Sequence, residues 1–178
     1  VSDPVLDNAD TLVTSQVLAK AIEKIDEVGL VLFGKMTTDG NTGETPVQVA
    51  RRLGWPALTY VSKIREIDFE ARTIVVERLL EEGKQIVQAS LPAVVSVVKG
   101  INEPRYPSFM GIRKASRAEI PVWSAADIGV DGSVRPKVAW PEIRELPPRE
   151  GECEIIEAAT VEEAAAALVD RLIEEKVV

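Results

Sequence analysis

Leu30-Val31-Leu32-Phe33-Gly34-Lys35-Met36-Thr37-Thr38-Asp39-Gly40-Asn41-Thr42-Gly43-Glu44-Thr45-Pro46 decides the fold of this chain. Its first four residues are short, continuous and apolar, as expected of a strand buried on both faces of a parallel sheet. The glycine-punctuated loop over Gly34–Gly43 then leaves the strand at its C-terminal end. A helix follows over about Glu44–Leu53, with Pro46 in its first turn and Gly54 and Pro56 stopping it. In parallel α/β sheets, ligands bind where such a loop joins a strand end to a helix start. Small residues let backbone amides approach a phosphate, and the helix start adds unpaired N–H groups and a positive dipole end. Thr42 and Thr45 add hydroxyls. The pattern is neither GxxxxGK[ST] nor GxGxxG, so the usual NTPase and dinucleotide fingerprints do not apply. Spacing alone is equally compatible with a glycine-rich connection that holds no ligand.

Upstream, Leu12, Val13, Val17, Ala21, Ile25 and Val28 recur at roughly helical spacing behind a cap at Asn8 or Asp10, with Gly29 as the expected stop. Downstream, Leu58–Val61 reads as another strand. A helix-strand-loop-helix-strand order implies right-handed crossovers and an α/β fold with a mostly parallel sheet. A sheet starting in this way is expected to lack its first strand. From Lys63 the pattern changes: Ile64, Ile67 and Phe69, then Ile74–Val76, form short strands around polar turns at Asp68–Ala71 and Glu81–Gly83. This predicts an antiparallel excursion that returns through Ala93–Val98.

Behind the apolar run Leu91–Val98 comes Asn102-Glu103-Pro104-Arg105-Tyr106-Pro107-Ser108-Phe109-Met110-Gly111-Ile112-Arg113-Lys114. Its prolines, with Gly100 and Gly111, argue against a helix or strand there. A core strand thus delivers a semi-rigid loop with aromatic residues and a basic cluster, Arg105, Arg113, Lys114 and Arg117. It reads either as a docking loop or as a plain surface turn with its Tyr folded back onto the sheet. Further on, Trp123–Gly129 predicts a short helix ending in a turn, Val138–Leu146 an extended stretch, and Pro147–Gly151 a linker. Val161–Glu175 reads as a closing helix with Thr160 as N-cap and Glu163 at the capping-box position. The expected division is a nucleotide-binding α/β domain over 1–146, with the linker and C-terminal helix over 147–178.

Composition narrows the chemistry. The 178 residues suit one domain of ordinary size, with 46% apolar and 28% charged residues. A net charge of −8 disfavours bulk nucleic-acid binding. Histidine is absent, which excludes His-dependent triads, His zinc sites and His proton shuttles. Cys153 is alone, so no disulfide framework is expected, and its simplest reading is an inert or surface thiol. Trp55, Trp123 and Trp140 read as packing residues. No apolar run approaches the ~18 residues of a membrane span, and no signal-peptide pattern is visible. A soluble, reducing compartment is expected: cytoplasm, or mitochondrial matrix in a eukaryote.

Taken together, the Leu-Phe-Gly-Lys strand end with Asp39-Gly40-Asn41-Thr42-Gly43, and Leu91-Pro92-Ala93-Val94-Val95 followed by Asn102-Glu103-Pro104-Arg105-Tyr106, resemble the beta subunit of electron transfer flavoprotein. The likeness runs from about Ala9 to the early 120s. It implies a three-layer Rossmann-like domain of the adenine nucleotide alpha hydrolase-like kind and an alpha subunit that holds most of the redox FAD. It also implies AMP, or a second FAD, in the cleft matching Phe33, Gly34, Lys35, Thr38, Asp39, Gly40, Asn41, Thr42, Gly43, Glu44 and Thr45.

The same resemblance makes Asn102, Glu103, Arg105 and Tyr106 the base of a recognition loop for partner dehydrogenases, with a quinone oxidoreductase as a further candidate partner. The apolar anchor, usually Leu in the family, falls on Phe109, flanked by Met110 and Ile112 and steered by Arg113 and Lys114. Gln85 stands about where many relatives carry Glu near the subunit junction. The family's opening strand, with its Val-Lys-Gln type segment, has no counterpart in this sequence, which leaves binding by this piece alone in question. Two other classes stay open. One is an adenine-nucleotide-binding enzyme or sensor of the universal-stress type; the other is a structural subunit with an empty cleft.

Overall fold

The computed structural model describes residues 1–130, 134–139, 142, 144–148 and 153–177. Trp140, parts of the Val138–Leu146 stretch and Arg149–Gly151 of the linker lie outside them. The chain forms two compact units, Val1–Trp140 and Pro141–Val178.

In the first unit, α1 (Thr11–Ile25) starts at Asp10, whose carboxylate accepts from the Val13 amide at 2.9 Å. That satisfies one of the amides a helix start leaves unpaired. The helix stops at Ile25, short of Gly29, because Asp26 and Glu27 both turn to positive φ (60° and 51°). Next come β1 (Leu30–Gly34), α2 (Thr45–Leu53), β2 (Ala57–Asp68), β3 (Thr73–Leu80), β4 (Gly83–Ser90) and β5 (Ala93–Val97). Gly54 at φ 71° closes α2 in the left-handed region, where glycine carries no Cβ penalty. The seven-residue α3 (Phe109–Ala115) and a 3-10 turn at Ala126–Ile128 follow.

The sheet order is β1-β5-β2-β3-β4. β5 pairs in parallel with β1 and with β2, whereas β2–β3 and β3–β4 are antiparallel. The sheet is therefore mixed rather than mostly parallel, because the expected excursion supplies half of its pairings. Leu58–Val61 and the Ile64–Ile67 stretch prove to be one twelve-residue strand, β2, bent at register shifts instead of broken.

Alternation on β5 separates two cores. Val94 faces Val49 and Ala50 of α2, with Leu18 and Ile22 of α1 and Val31 and Phe33 of β1 around them. Ala93 and Val95 face the other way, into a cluster with Leu58, Val61, Ile74 and Val76. No helical residue joins that second cluster among the described residues: the curled meander covers it with its own side chains, including Val87 and Ala89. The helix layer is stapled by Arg52, which donates to the buried Ser15 hydroxyl at 3.0 Å and to the Leu12 carbonyl at 3.1 Å. A third cluster joins Val13 and Val17 to Ala125, Ile128 and Val130, with Trp123 and Val134 against it, as packing Trp123 was expected to do.

In the second unit, Thr160 caps α4 (Val161–Glu174) by accepting from the Glu163 amide at 3.2 Å. Arg171 reaches Glu154, Glu174 and Glu175 at 3.1–3.3 Å. No helix among the described residues is long and apolar enough to cross a membrane.

The meander is held by a three-strand clamp. Glu77 on β3 meets Arg65 of β2 at 2.7 Å and Lys84 of β4 at 2.8 Å. Hydrogen bonds from Lys84 and then Arg65 hold its carboxyl down at about 2, against an ordinary 4.5. Folding therefore favours the ionised form. The stabilisation is complete above about pH 4.5 and is lost as pH falls toward 2. Glu77→Gln is expected to lower the melting temperature at pH 7 and to flatten the acid limb between these values in a pH series of thermal melts. Parallel wild-type and variant acid limbs would show that the clamp contributes nothing.

Candidate functional site

Two features of β1's exit loop shape the site. Asn41 and Gly43 both adopt positive φ (49° and 64°), and the Asn41 amide donates to the Thr37 carbonyl at 3.1 Å, closing a turn. A Cβ on Gly43 would lie 3.3 Å from the Lys35 carbonyl oxygen, so the loop crosses itself where only glycine fits without strain. The Gly40 amide donates to the Asp39 carboxylate at 2.7 Å. The loop ends on Glu44, which begins α2 without a side-chain cap and leaves first-turn amides open.

The start of α1 lies beside the start of α2. Thr11 Oγ1 donates to Glu44 Oε2 at 3.4 Å, and Gln48 Nε2 donates to Thr11 Oγ1 and Glu44 Oε2 at 3.4 and 3.2 Å. Between the two helix starts and the β1 loop opens a cleft of about 780 Å³. That is within the 300–1,000 Å³ range of small-molecule sites. Its lining mixes the apolar side chains of Ala9, Leu18, Phe33, Met36 and Val138 with the hydroxyl-bearing Thr11, Thr14, Thr37, Thr42 and Thr45, the loop glycines, and Lys35, whose ammonium lies over the Tyr60 ring. Such a surface suits a ligand with a flat apolar part and an anionic part.

Of the residues predicted for this cleft, Phe33, Gly34, Lys35, Asp39, Gly40, Thr42, Gly43, Glu44 and Thr45 line it together; Thr38 and Asn41 do not. The side of the cleft formed by Asp10, Thr11, Thr14 and Leu18 escaped the sequence reading. The pair Thr11 and Thr14, one helical turn apart directly after a cap, was the available signal. Val138 gave none, since only the fold brings it there.

Three carboxylates in the lining, Asp10, Asp39 and Glu44, are engaged by the protein's own groups. Asp10 is held below the usual carboxylate range chiefly by the Val13 amide, with the Lys137 and Val138 amides adding to it. Asp39 is lowered by the Thr37 hydroxyl and then by the Gly40 amide. Among the described residues, no group of His, Cys, Asp and Glu is arranged to hold a metal ion.

On the other flank of α2's start lies a smaller cavity of about 300 Å³, lined by Val47, Gln48, Thr59, Tyr60 and Ser96 and sharing Lys35, Gly43 and Glu44 with the cleft. The Lys35 ammonium sits 5.3 Å from the Tyr60 ring centroid. Tyr60 has φ 56° at the bend in β2, an unusual backbone state for an aromatic residue. Gln48 Oε1 is buried there without a partner.

The second predicted segment leaves β5 through Gly100. Asn102, Glu103, Arg105 and Tyr106 lie in irregular chain, and Tyr106 is fully exposed. From Phe109 onward the expected helix-free loop is corrected: Phe109, Met110, Ile112, Arg113 and Lys114 lie on α3. Ser108 makes this possible by accepting from the Gly111 amide at 3.1 Å, while Pro107 stays outside the helix. Phe109 is 94% exposed and Met110 74%, side by side on a turn ending in two cations.

The Electron transfer flavoprotein domain family matches residues 1–128. The chain is 36% identical over 181 aligned positions to the caffeyl-CoA reductase-Etf complex subunit CarD of Acetobacterium woodii, covering all of this chain and 68% of that one. It is 39% identical to protein FixA of Azorhizobium caulinodans and 40% identical to the electron transfer flavoprotein subunit beta of Mycobacterium tuberculosis. Each of these two alignments takes in 74% of this chain and 48% of the relative, so the chain spans about half their length. With the domain matched over most of its residues, the chain belongs to the electron transfer flavoprotein family, alongside its beta-subunit and FixA-type members.

Proposed function

We propose that this chain is the beta-type subunit of a heterodimeric flavoprotein that carries electrons and does no bond-making catalysis of its own. Its cleft holds AMP or a second FAD, its alpha partner holds most of the redox FAD, and dehydrogenases dock on the segment Asn102–Lys114. The observation that carries this reading is the cleft at β1's exit, lined by apolar side chains, threonines and loop glycines together.

The cleft's chemistry fits an adenylate. The apolar side chains of Ala9, Leu18, Phe33 and Val138 suit a base, the threonine hydroxyls suit a ribose, and Gly43 with the uncapped start of α2 suits a phosphate. Lys35 supplies a positive charge. Asp10 and Asp39 accept from the protein's own amides, and Glu44 from Thr11 and Gln48, so these donors partly offset the repulsion the three carboxylates exert on an anion. The tightness at Gly43 supports the same assignment, since a side chain there would displace the loop from its close approach.

Flavin supplies the redox chemistry when bound, and the protein contributes binding and orientation. On the docking side, Phe109 offers a large apolar anchor ahead of a basic cluster. That combination suits a fast, transient complex in which charge steers the encounter and one buried aromatic holds it.

Gly43→Val is expected to weaken adenylate binding by roughly tenfold or more, about 1.4 kcal/mol. Calorimetry and chromatography of nucleotides released on denaturation read it, with circular dichroism as the folding control; stoichiometric adenylate in a folded variant would remove the cleft assignment. Phe109→Ala is expected to cost about 2 kcal/mol in dehydrogenase docking, roughly a thirtyfold rise in apparent KM, with flavin content unchanged. Unaltered transfer kinetics from reduced dehydrogenase would count against the docking role.

A further inference from the structure

One wall of the cleft comes from far along the chain. Val138 lines the cavity, although it follows the end of the β1 loop by 95 positions. The chain reaches that place by two attachments. Val134 packs against the cluster built on Val13 and Val17 of α1. Three residues later, the Lys137 and Val138 amides donate to the second carboxylate oxygen of Asp10, at 2.6 and 3.2 Å. The first oxygen of the same carboxylate caps α1 through the Val13 amide.

Asp10 therefore does two separable jobs. A helix cap needs one oxygen, which Ser, Thr or Asn supplies equally well. Holding two further amides requires the second oxygen and benefits from its charge, because amide bonds to an ionised carboxylate are short and strong. Nothing in helix capping calls for that second pair of bonds. Their consequence is to fix Lys137 and Val138 across the cleft, and Pro136 just before them limits the backbone freedom of the approach. Val138 remains 57% exposed, so its apolar surface is available to a ligand filling the cavity.

We propose that residues 134–138 form a strap over the cleft, and that Asp10 is its latch: a positioning residue that sets how long the ligand stays bound. This deepens the adenylate reading above and rests on it. Ligand exchange requires the strap to lift from Asp10 while Val134 stays anchored, so the latch acts on the exit rate more than on the fold. The bound molecule meets Val138 with its apolar part, the end that lies away from Gly40 and Gly43.

The test uses the assembled protein with bound adenylate, comparing wild type, Asp10→Ser, Lys137→Pro and the double variant. Asp10→Ser keeps a cap oxygen for α1 and removes the latch; Lys137→Pro removes the shorter latch bond from the strap side and leaves α1 intact. Release is timed by chasing bound AMP with excess labelled AMP, and amide hydrogen exchange is followed at Val138. Each single variant is expected to release adenylate about tenfold faster, with Val138 protection lost. The double variant should be no faster than the singles, since both remove one linkage. The melting temperature of nucleotide-free protein should change little. Release at the wild-type rate from both single variants would overturn the strap while leaving the cleft assignment standing. Wild type that takes up no adenylate would overturn the ligand reading, and the strap's role with it.

Discussion

β5 is buried from Ala93 to Ser96 and pairs in parallel with a neighbour on each side. That single constraint sets the geometry of the first unit. Parallel neighbours release their chains at the same edge of the sheet, so the loop after β1, which forms the cleft, and the segment after β5, which carries Phe109, both leave from that edge. The alternation of β5 also assigns the faces. Val94 accepts the helix layer, and Val95 closes the meander's core. A polar substitution at either position would loosen the platform supporting both candidate functional segments.

On that platform, polar groups locate the helices. Arg52 fixes α2 against α1 through Ser15 and the Leu12 carbonyl, which brings the two helix starts together where Thr11, Glu44 and Gln48 meet. Bonds of this kind are individually modest, about 1 kcal/mol each. Their value is geometric, because the cleft is the space left between two helix starts and one loop. The Glu77 clamp does comparable work away from the cleft, keeping three meander strands in register around a nearly buried carboxylate.

Much of this was legible in the chain, for identifiable reasons. Leu30–Phe33 and the mostly apolar Ala93–Val97 announce themselves as strands, and Thr160 and Asp10 as caps, because these signals are local. The burial of β1 on both faces that its run suggested does not hold, since β1 is an edge strand of the sheet and Leu32 is 59% exposed. The failures have physical causes as well. The change of pattern at Lys63 hid the continuity of β2, which bends near Tyr60, at φ 56°, and continues through its register shifts. Pro104, Pro107 and Gly111 masked α3, because Ser108 supplies a cap that outweighs a glycine in so short a helix. Val138 was invisible because its place depends on a carboxylate more than a hundred positions away. Nine of the eleven residues expected at the cleft line it, whereas Thr38 and Asn41 serve the turn that shapes it.

The account stands or falls on the cavity at β1's exit being a nucleotide site within a flavin-carrying assembly. The most direct measurement is to purify this chain together with its natural partner subunit, record the visible spectrum, and quantify the nucleotides freed by denaturation. The account predicts a yellow complex yielding either one flavin and one AMP or two flavins per assembly. A colourless complex that yields no adenine compound would contradict it.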